Sequence, residues 1–222
     1  MIKVISLFKR KSALSLEAFT KHWISTHAEL VRQVPGIRRY VQSQTIPSAY
    51  RKGEPVYDGM AELWYDDTAA MRRAADAPVS HEAFEDNRNF LDLNSFVSIH
   101  TEEVIQLDGP TNPSMVKLAE FPIRPTTLTP EEFHRYWSEV HGPLAAKIPQ
   151  MRRYIQSHAR LSSYRDGRIP PFDGVAEVWF DSTDAMRESA KALEYKLVRE
   201  DEPNFINQSK LQFIITRERI II

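Results

Sequence analysis

The hexapeptide Arg38-Arg39-Tyr40-Val41-Gln42-Ser43 recurs 114 positions later as Arg152-Arg153-Tyr154-Ile155-Gln156-Ser157. It belongs to a longer repeat, in which residues 3–53 match at this offset with 18 of 51 positions identical. Residues 57–103 match at an offset of 115, with 19 of 47 positions identical. Self-similarity over nearly the whole length is typical of two copies of one unit.

Two related domains, residues 1–107 and 115–222, are predicted from this repeat. Each copy has about 105 residues, which is the size of one small compact domain. The segment between the copies contains Asp108-Gly109-Pro110 and Asn112-Pro113, a composition typical of a turn-rich connection.

The composition narrows the classes of function. Lys and Arg number 29 against 30 Asp and Glu, and the formal net charge is −1. Because the chain has no basic excess, nucleic acid and anionic membranes are not expected partners. The absence of cysteine excludes disulfides, thiolate nucleophiles and zinc-thiolate sites. Met1-Ile2-Lys3-Val4 resembles the start of a strand rather than of a signal peptide, so we expect a cytoplasmic protein.

Hydrophobic periodicity and turn signals predict the order β-α-β-β-α-β within each copy. The first helix begins after Ser15 in one copy and after Thr129 in the other, and it ends near Pro35 and Pro149. In the first copy, the other elements are strands at 2–8, 37–46, 57–66 and 96–105 and a second helix at 67–77. This order defines the ferredoxin-like unit, so the expected fold class is α+β.

A sheet with both helices on one side leaves its other face to be covered. The segment Ala61-Glu62-Leu63-Trp64-Tyr65 is largely apolar on both sides, so a water-exposed second face is not expected. We predict that the two copies pack sheet to sheet as an intramolecular dimeric α/β barrel. The chain is then expected to be a monomer with an internal pseudo-dimer, or a homodimer.

The first helix of each copy contains the candidate catalytic residues. Only Trp23, His27 and Leu30 are identical to their counterparts among positions 20–34, and the helical period places all three on the face that packs on the sheet. Of the seven histidines, only His27 and His141 correspond between the copies. A buried imidazole is held in its neutral form, and a neutral imidazole beside a pocket is a general base. The alternative is a core histidine whose two ring nitrogens are both hydrogen-bonded.

Further retained residues lie on the strands that follow. Tyr40 and Glu62 are a plausible hydrogen-bond donor and acceptor for a polar group of a ligand, and Trp64 lies on the same side of its strand as Glu62. Core packing is the alternative for Trp64. The predicted ligand pocket therefore consists of Trp23, Tyr40, Glu62 and Trp64 in the first copy and Trp137, Tyr154, Glu177 and Trp179 in the second.

At these residues the chain resembles the EthD family of the dimeric α/β-barrel superfamily. The resemblance rests on three motifs in both copies: Trp-x-x-x-His, the Arg-Arg-Tyr segment, and Asp-Gly-x-Ala-Glu-x-Trp from Asp58 and Asp173. It implies the fold inferred above, with a ligand cleft between helices and sheet in each unit. Family members usually follow the histidine with a small residue, Pro and Leu. Gly142-Pro143-Leu144 fits this pattern, whereas Ala28-Glu29-Leu30 departs from it, which favours the second site.

The leading functional hypothesis is a cofactor-independent enzyme that transfers protons with His27 and His141 as general bases. The resemblance implies a small hydrophobic, phenolic or polyketide-like substrate and a lyase, cyclase, isomerase or monooxygenase-like reaction. Neither a metal nor an organic cofactor is expected. A noncatalytic small-molecule-binding or accessory protein is the alternative. Haem or metal binding ranks lower, because no second histidine stands at i+3 or i+4 on the same helix face.

Overall fold

The computed structural model describes the backbone of residues 1–222 and every side chain except that of Lys52. The chain forms two compact units. Unit 1 comprises residues 1–100 and 218–222, and unit 2 comprises residues 101–217. Each unit therefore contains most of one sequence copy. Among the described residues, no helix has the length and apolar character needed to cross a bilayer.

The first copy contains four strands and a set of helical segments in the predicted order. Its strands are β1 (Ile2–Arg10), β2 (Arg39–Thr45), β3 (Gly59–Tyr65) and β4 (Leu91–Leu107). Its helices are α1 (Leu16–His22), α2 (Ala28–Arg32), α3 (Thr68–Ala75) and α4 (Pro78–Phe90). A π-helical turn, Trp23–His27, joins α1 to α2, and a 3-10 segment, Pro47–Lys52, precedes β3.

The second copy repeats this arrangement. Its strands are β5 (Val116–Phe121), β6 (Met151–Ala159), β7 (Gly174–Phe180) and β8 (Gln212–Ile220). Its helices are α5 (Pro130–Tyr136), α6 (Gly142–Ala145), α7 (Thr183–Ser189) and α8 (Leu193–Asp201), with a π-helical turn at Trp137–His141. The 3-10 segments are Leu161–Gly167, Glu202–Asn204 and Gln208–Lys210.

The strand order is the same in the two units. In unit 1 it is β4-β1-β3-β2, and in unit 2 it is β8-β5-β7-β6. In unit 1 β1 pairs antiparallel with β3, with Val4 opposite Leu63, and in unit 2 β5 pairs antiparallel with β7, with Leu118 opposite Val178. Residues 101–107 of β4 extend the second sheet by pairing with β6. The predicted α+β class, with two tandem ferredoxin-like units, is confirmed.

The first helix begins where the sequence indicates. The Ser15 hydroxyl accepts a hydrogen bond from Ala18 N at 3.1 Å, and Thr129 and Glu132 form a capping box that satisfies free N–H groups of the first turn. The helix is not continuous, however, because both copies widen into a π-helical turn at the Trp-x-x-x-His motif. Such turns contain one extra residue and are frequent at functional sites.

Each π-helical turn is tied to the sheet by a retained glutamine. Gln42 Nε2 donates to the Trp23 carbonyl at 2.8 Å, and Gln156 Nε2 donates to the Trp137 carbonyl at 2.8 Å. The tryptophan ring lies against a glycine: a Cβ on Gly174 would come within 2.6 Å of the Trp137 ring. The retained Asp-Gly pair thus allows the close approach of helix and strand.

Candidate functional site

A cavity lies between the helices and the sheet in each unit. The first cavity, in unit 1, has a volume of about 580 Å³, and the second cavity, in unit 2, has a volume of about 410 Å³. Both fall within the ordinary range of about 300–1,000 Å³ for small-molecule sites. His27, Trp23 and Tyr40 line the first cavity. Their counterparts His141, Trp137 and Tyr154 line the second.

The histidine in each cavity is held by a carboxylate from the last helix of the unit. His141 Nδ1 lies 2.8 Å from Asp201 Oδ2, and His27 Nδ1 lies 3.0 Å from Asp86 Oδ2. Since an ionised carboxylate can only accept, we assign the proton to Nδ1 in both rings. No group among the described residues is bonded to Nε2 of His141. This nitrogen carries the lone pair and is the one left to the cavity.

Burial and the carboxylate act in opposite directions on these histidines. Burial lowers the pKa of His141, and the hydrogen bond that His141 donates to Asp201 offsets only part of that effect, so the pKa lies below the ordinary value of 6.5. The pKa of His27 is lowered in the same way by burial, against the opposing effect of Asp86. Both imidazoles are therefore neutral at pH 7, the form that a general base requires.

The aspartates are themselves supported. Burial raises the pKa of Asp201, but hydrogen bonds from Tyr136, His141 and Asn204 outweigh it, so the net shift is downward. Tyr136 Oη donates to Asp201 Oδ1 at 2.6 Å, and Asn204 Nδ2 donates to the same oxygen at 3.2 Å. The carboxylate stays ionised and can stabilise an imidazolium formed during proton transfer.

Unit 1 supports its aspartate differently. Asp86 contacts His22 Nε2 at 2.9 Å, where unit 2 has the phenol of Tyr136, and it accepts from Asn89 Nδ2 at 2.9 Å. Burial raises the pKa of Asp86, and the hydrogen bonds from Asn89, His27 and His22 bring it below its ordinary value. One carboxylate thus serves two histidines in unit 1.

The predicted tyrosines lie in the cavities. Tyr154 Oη accepts hydrogen bonds from Trp137 Nε1 at 3.1 Å and from Gln156 Nε2 at 3.0 Å. Since both neighbours donate, the phenol hydrogen is left to point at a ligand. Burial raises the pKa of Tyr154, and burial likewise raises the pKa of Tyr40 to about 12. Both phenols therefore stay protonated, as the predicted donor role requires.

The structure places the other predicted pocket residues elsewhere. Glu62 pairs with Lys3 at 3.0 Å and accepts from Ser43 Oγ at 2.6 Å, and the Lys3 ammonium lies 4.7 Å from the Trp64 ring. Unit 2 repeats this cluster with Lys117, Glu177, Ser157 and Trp179.

Strand alternation explains this correction. Ala61, Leu63 and Tyr65 line the first cavity, so Glu62 and Trp64 point to the opposite face of β3. Ala176, Val178 and Phe180 line the second cavity, which places Glu177 and Trp179 on the opposite face of β7. The four residues form buried ion-pair clusters and do not line either cavity.

Sequence reasoning missed the two aspartates, although a signal was present. Asp86 and Asn89 align with Asp201 and Asn204, so the pattern Asp-x-x-Asn-Phe is retained in both copies. The phenylalanine of this motif packs on the catalytic candidate, with the Phe205 and His141 ring centroids 4.5 Å apart. The internal repeat could therefore have identified the partner of each histidine.

A second group was missed because it occurs in one copy only. Glu120 lines the second cavity, and burial, together with the charge of Glu202, raises its pKa to about 7. Glu202 is paired with Arg199 at 2.7 Å and accepts from Gln208 Nε2 at 3.2 Å. The counterpart of Glu120 in the first cavity is Ser6, whose hydroxyl donates to Ser98 Oγ at 3.2 Å.

The family is shown by two matches to one family model, described as the EthD domain. These matches cover residues 11–94 and 125–209, most of both copies. The chain belongs to the EthD family. The duplication inferred from the sequence is thus a tandem pair of EthD domains. No curated protein matches the chain.

Solved structures that resemble this EthD protein share its fold at low identity. An anthrone oxidase-like protein is 10% identical, with a TM-score of 0.67 over 99% of this chain and 93% of its own. A protein from Fusobacterium nucleatum proposed to be a monooxygenase is 11% identical, with a TM-score of 0.65 and the same coverage of both chains. A mutant chlorite dismutase from Candidatus Nitrospira defluvii is 10% identical, with a TM-score of 0.58 over 99% of this chain and 92% of its own. At these identities the likeness concerns the fold alone.

Proposed function

We propose that this EthD protein is an enzyme that transfers protons on a small hydrophobic, phenolic or polyketide-like compound bound in the second cavity. His141 is the general base. The observation that carries the proposal is the hydrogen bond between His141 Nδ1 and Asp201, because it fixes the tautomer and leaves a neutral Nε2 beside the cavity.

The surroundings of His141 fit a largely apolar ligand with one polar end. Most of the second cavity is formed by aliphatic and aromatic side chains such as Ile148, Met151 and Val178. The Tyr154 phenol supplies a hydrogen-bond donor close to the Trp137 indole. An apolar wall with few directed polar groups is typical of sites for such compounds.

The first cavity supports a second candidate function, noncatalytic ligand binding. It has the same histidine and tyrosine but carries Ser6 where the second cavity has Glu120. Asp86 is also shared between His27 and His22. A charge on His22 opposes protonation of His27, which weakens His27 as a base.

The test is proton exchange from 2-tetralone, a hydrophobic ketone whose enol resembles a phenol. Incorporation of deuterium from D₂O at its acidic carbon is followed by NMR. We expect His141→Gln to lower the enzyme-catalysed rate by at least ~100-fold, the usual contribution of a general base. The matched variant His27→Gln should leave most of the rate.

Binding is followed separately, so that loss of chemistry is not confused with loss of the site. The probe is 2-naphthol, which resembles the enol of 2-tetralone, and the signal is quenching of tryptophan fluorescence. Both variants should still bind 2-naphthol. If His141→Gln exchanges 2-tetralone as fast as the wild type, or if the wild type is no faster than buffer, the catalytic role of His141 is wrong.

A further inference from the structure

Glu120 is an acid in an apolar wall without a partner. Leu118, Glu120 and Pro122 alternate along and just beyond β5, and all three line the second cavity. Across the described part of the chain, no hydrogen bond or ion pair to the Glu120 carboxyl is formed. Glu120 is half-buried, and a carboxyl without a partner in a largely apolar cavity is costly to keep unless its proton or its charge is used.

The neighbours of Glu120 favour its protonated form. Burial and the charge of Glu202 raise the pKa of Glu120, and Arg199, which is paired with Glu202, offsets only part of this effect. Glu120 also interacts with the phenols of Tyr154 and Tyr195, whose pKa values burial raises. Arg187 and His141 line the same cavity. The cavity is therefore arranged around one neutral acid, Glu120, and one neutral base, His141.

We infer that Glu120 is the proton donor to the carbonyl oxygen of the substrate, and that the second cavity accepts ketones with an acidic C–H next to the carbonyl. This inference rests on the proposed function, because it requires His141 to take the carbon-bound proton. It assigns to the second cavity a substrate class that the first cavity does not share.

The step is an enolisation in which protons and electrons balance. Nε2 of His141 takes the proton from carbon, and the electron pair of that C–H bond becomes the new C=C bond. The π pair of the carbonyl moves to oxygen, which takes the proton of the Glu120 carboxyl. The product is an enol, with an imidazolium beside Asp201 and a carboxylate at Glu120. Return of both protons, to the same carbon or to a conjugated one, restores the site.

None of the described residues that line the first cavity is an acid. Ser6 occupies the aligned position, and its hydroxyl donates to Ser98. Asn87 and Phe84 align with Glu202 and Arg199. The first copy therefore has no charged residue at the two positions that lie near Glu120 in the second copy. A hydroxyl with a pKa far above 7 does not protonate a ketone. The first cavity therefore lacks the second half of the proton-transfer pair.

The pH dependence follows from the two groups. The rate requires neutral His141, so it falls when the pH drops below the lowered pKa of that histidine. It also requires protonated Glu120, so it falls when the pH rises above about 7. The phenols of Tyr154 and Tyr195, whose pKa values burial raises, retain their protons across this range. Burial also raises the pKa of Glu202, so the alkaline limb is assigned to Glu120 by its loss in the Glu120 variants.

The experiment uses deuterium exchange into 2-tetralone at a series of pH values, with the variants Glu120→Gln and Glu120→Ala. Glu120→Ala should lose on the order of 100-fold in rate, the usual contribution of a general acid. Glu120→Gln should lose about 10-fold, because the amide still donates a hydrogen bond to the oxygen, and its rate should no longer fall above pH 7. Ser6→Ala is the matched control and should leave the rate unchanged.

The outcomes separate this inference from the proposed function. If exchange depends on His141 but both Glu120 variants keep the wild-type rate and alkaline limb, the role of Glu120 is wrong while the function of His141 stands. If His141→Gln has no effect, the proposed function fails first. A melting temperature that is unchanged or raised in Glu120→Gln shows that a lower rate does not come from unfolding.

Discussion

The two cavities are built from the same elements and differ in the residues of one lining strand. In both, a π-helical turn presents a histidine, the last helix supplies an aspartate, and a strand supplies a tyrosine held by a glutamine. The facing strand differs, because β5 carries Glu120 where β1 carries Ser6. The residues retained in both copies build the two sites, whereas Glu120, the residue proposed to distinguish their chemistry, was not retained.

The buried Lys-Glu ion pairs occur in both units, and their removal has the largest expected effect on the free energy of unfolding. Lys117→Met leaves Glu177 buried without its 3.4 Å partner, and removal of one member of such a pair costs about 3–5 kcal/mol. Lys3→Met should cost a similar amount, because Lys3 and Glu62 are equally buried. Chemical denaturation followed by circular dichroism measures both. A loss of stability in only one of the two variants would show that the two ion-pair clusters are not equivalent.

His158 has no titratable counterpart in unit 1, where Gln44 is aligned. Burial lowers the pKa of His158 to about 3, and the nearby His134 adds to this effect. Since the unfolded form takes up a proton near pH 6.5 and the folded form does not, stability is lost as the pH falls from about 6.5 toward 3.

The variant His158→Gln removes this loss. We expect it to be more stable than the wild type at pH 4 by about 3 kcal/mol, since pH 4 lies about 2.5 units below the ordinary pKa of 6.5 and each unit corresponds to about 1.4 kcal/mol. At pH 8 the difference should vanish apart from packing effects. Thermal unfolding at the two pH values measures this. An equal effect at pH 4 and pH 8 would show that proton uptake by His158 is not the cause.

Variants of the two aspartates show which of the two cavities performs the chemistry. Asp201→Asn keeps the shape but removes the anion that orients His141 and stabilises its imidazolium, so exchange of 2-tetralone should fall by roughly 100-fold. Asp86→Asn should change the rate little. Equal losses in the two variants would mean that both cavities perform the chemistry.

The smallest effect is expected from the residue that supports each aspartate. Tyr136→Phe removes a 2.6 Å hydrogen bond to Asp201. A hydrogen bond to a charged acceptor is worth about 1.5–3 kcal/mol, and we expect the lower end because Tyr136 is only part-buried. His22→Phe removes the corresponding contact with Asp86 and also a group whose charge lowers the pKa of His27. NMR titration of the two catalytic candidates should show an upward shift for His27 only in His22→Phe.

Much of the fold could be predicted because the signals are local or repeated. The 3.6-residue period placed His27 and His141 toward the sheet, and the turn residues indicated the order of strands and helices along the chain. The π-helical turns could not be predicted, because the extra residue leaves the helical pattern of Phe19, Trp23 and His27 almost unchanged. Within this turn the carbonyl of Trp23 accepts from the Ala28 amide and from Gln42 Nε2.

The site was predicted in part for equally physical reasons. Glu62 and Trp64 were assigned to the wrong face because β3 is buried on both sides, so hydrophobicity does not indicate which side meets the cavity. Asp201 lies 60 residues from His141, and no local pattern joins them. Glu120 could not be identified from residues shared by the two copies, because the first copy has Ser6 at the aligned position.

The π-helical turn also indicates which features of the two domains are older than the duplication. It occupies aligned positions in both copies, so the simplest history places its extra residue in a single-domain ancestor, before the gene was duplicated. The Asp-His pair has the same age by the same reasoning. The difference between Glu120 and Ser6 arose afterward, when two linked domains allowed one to change while the other kept folding.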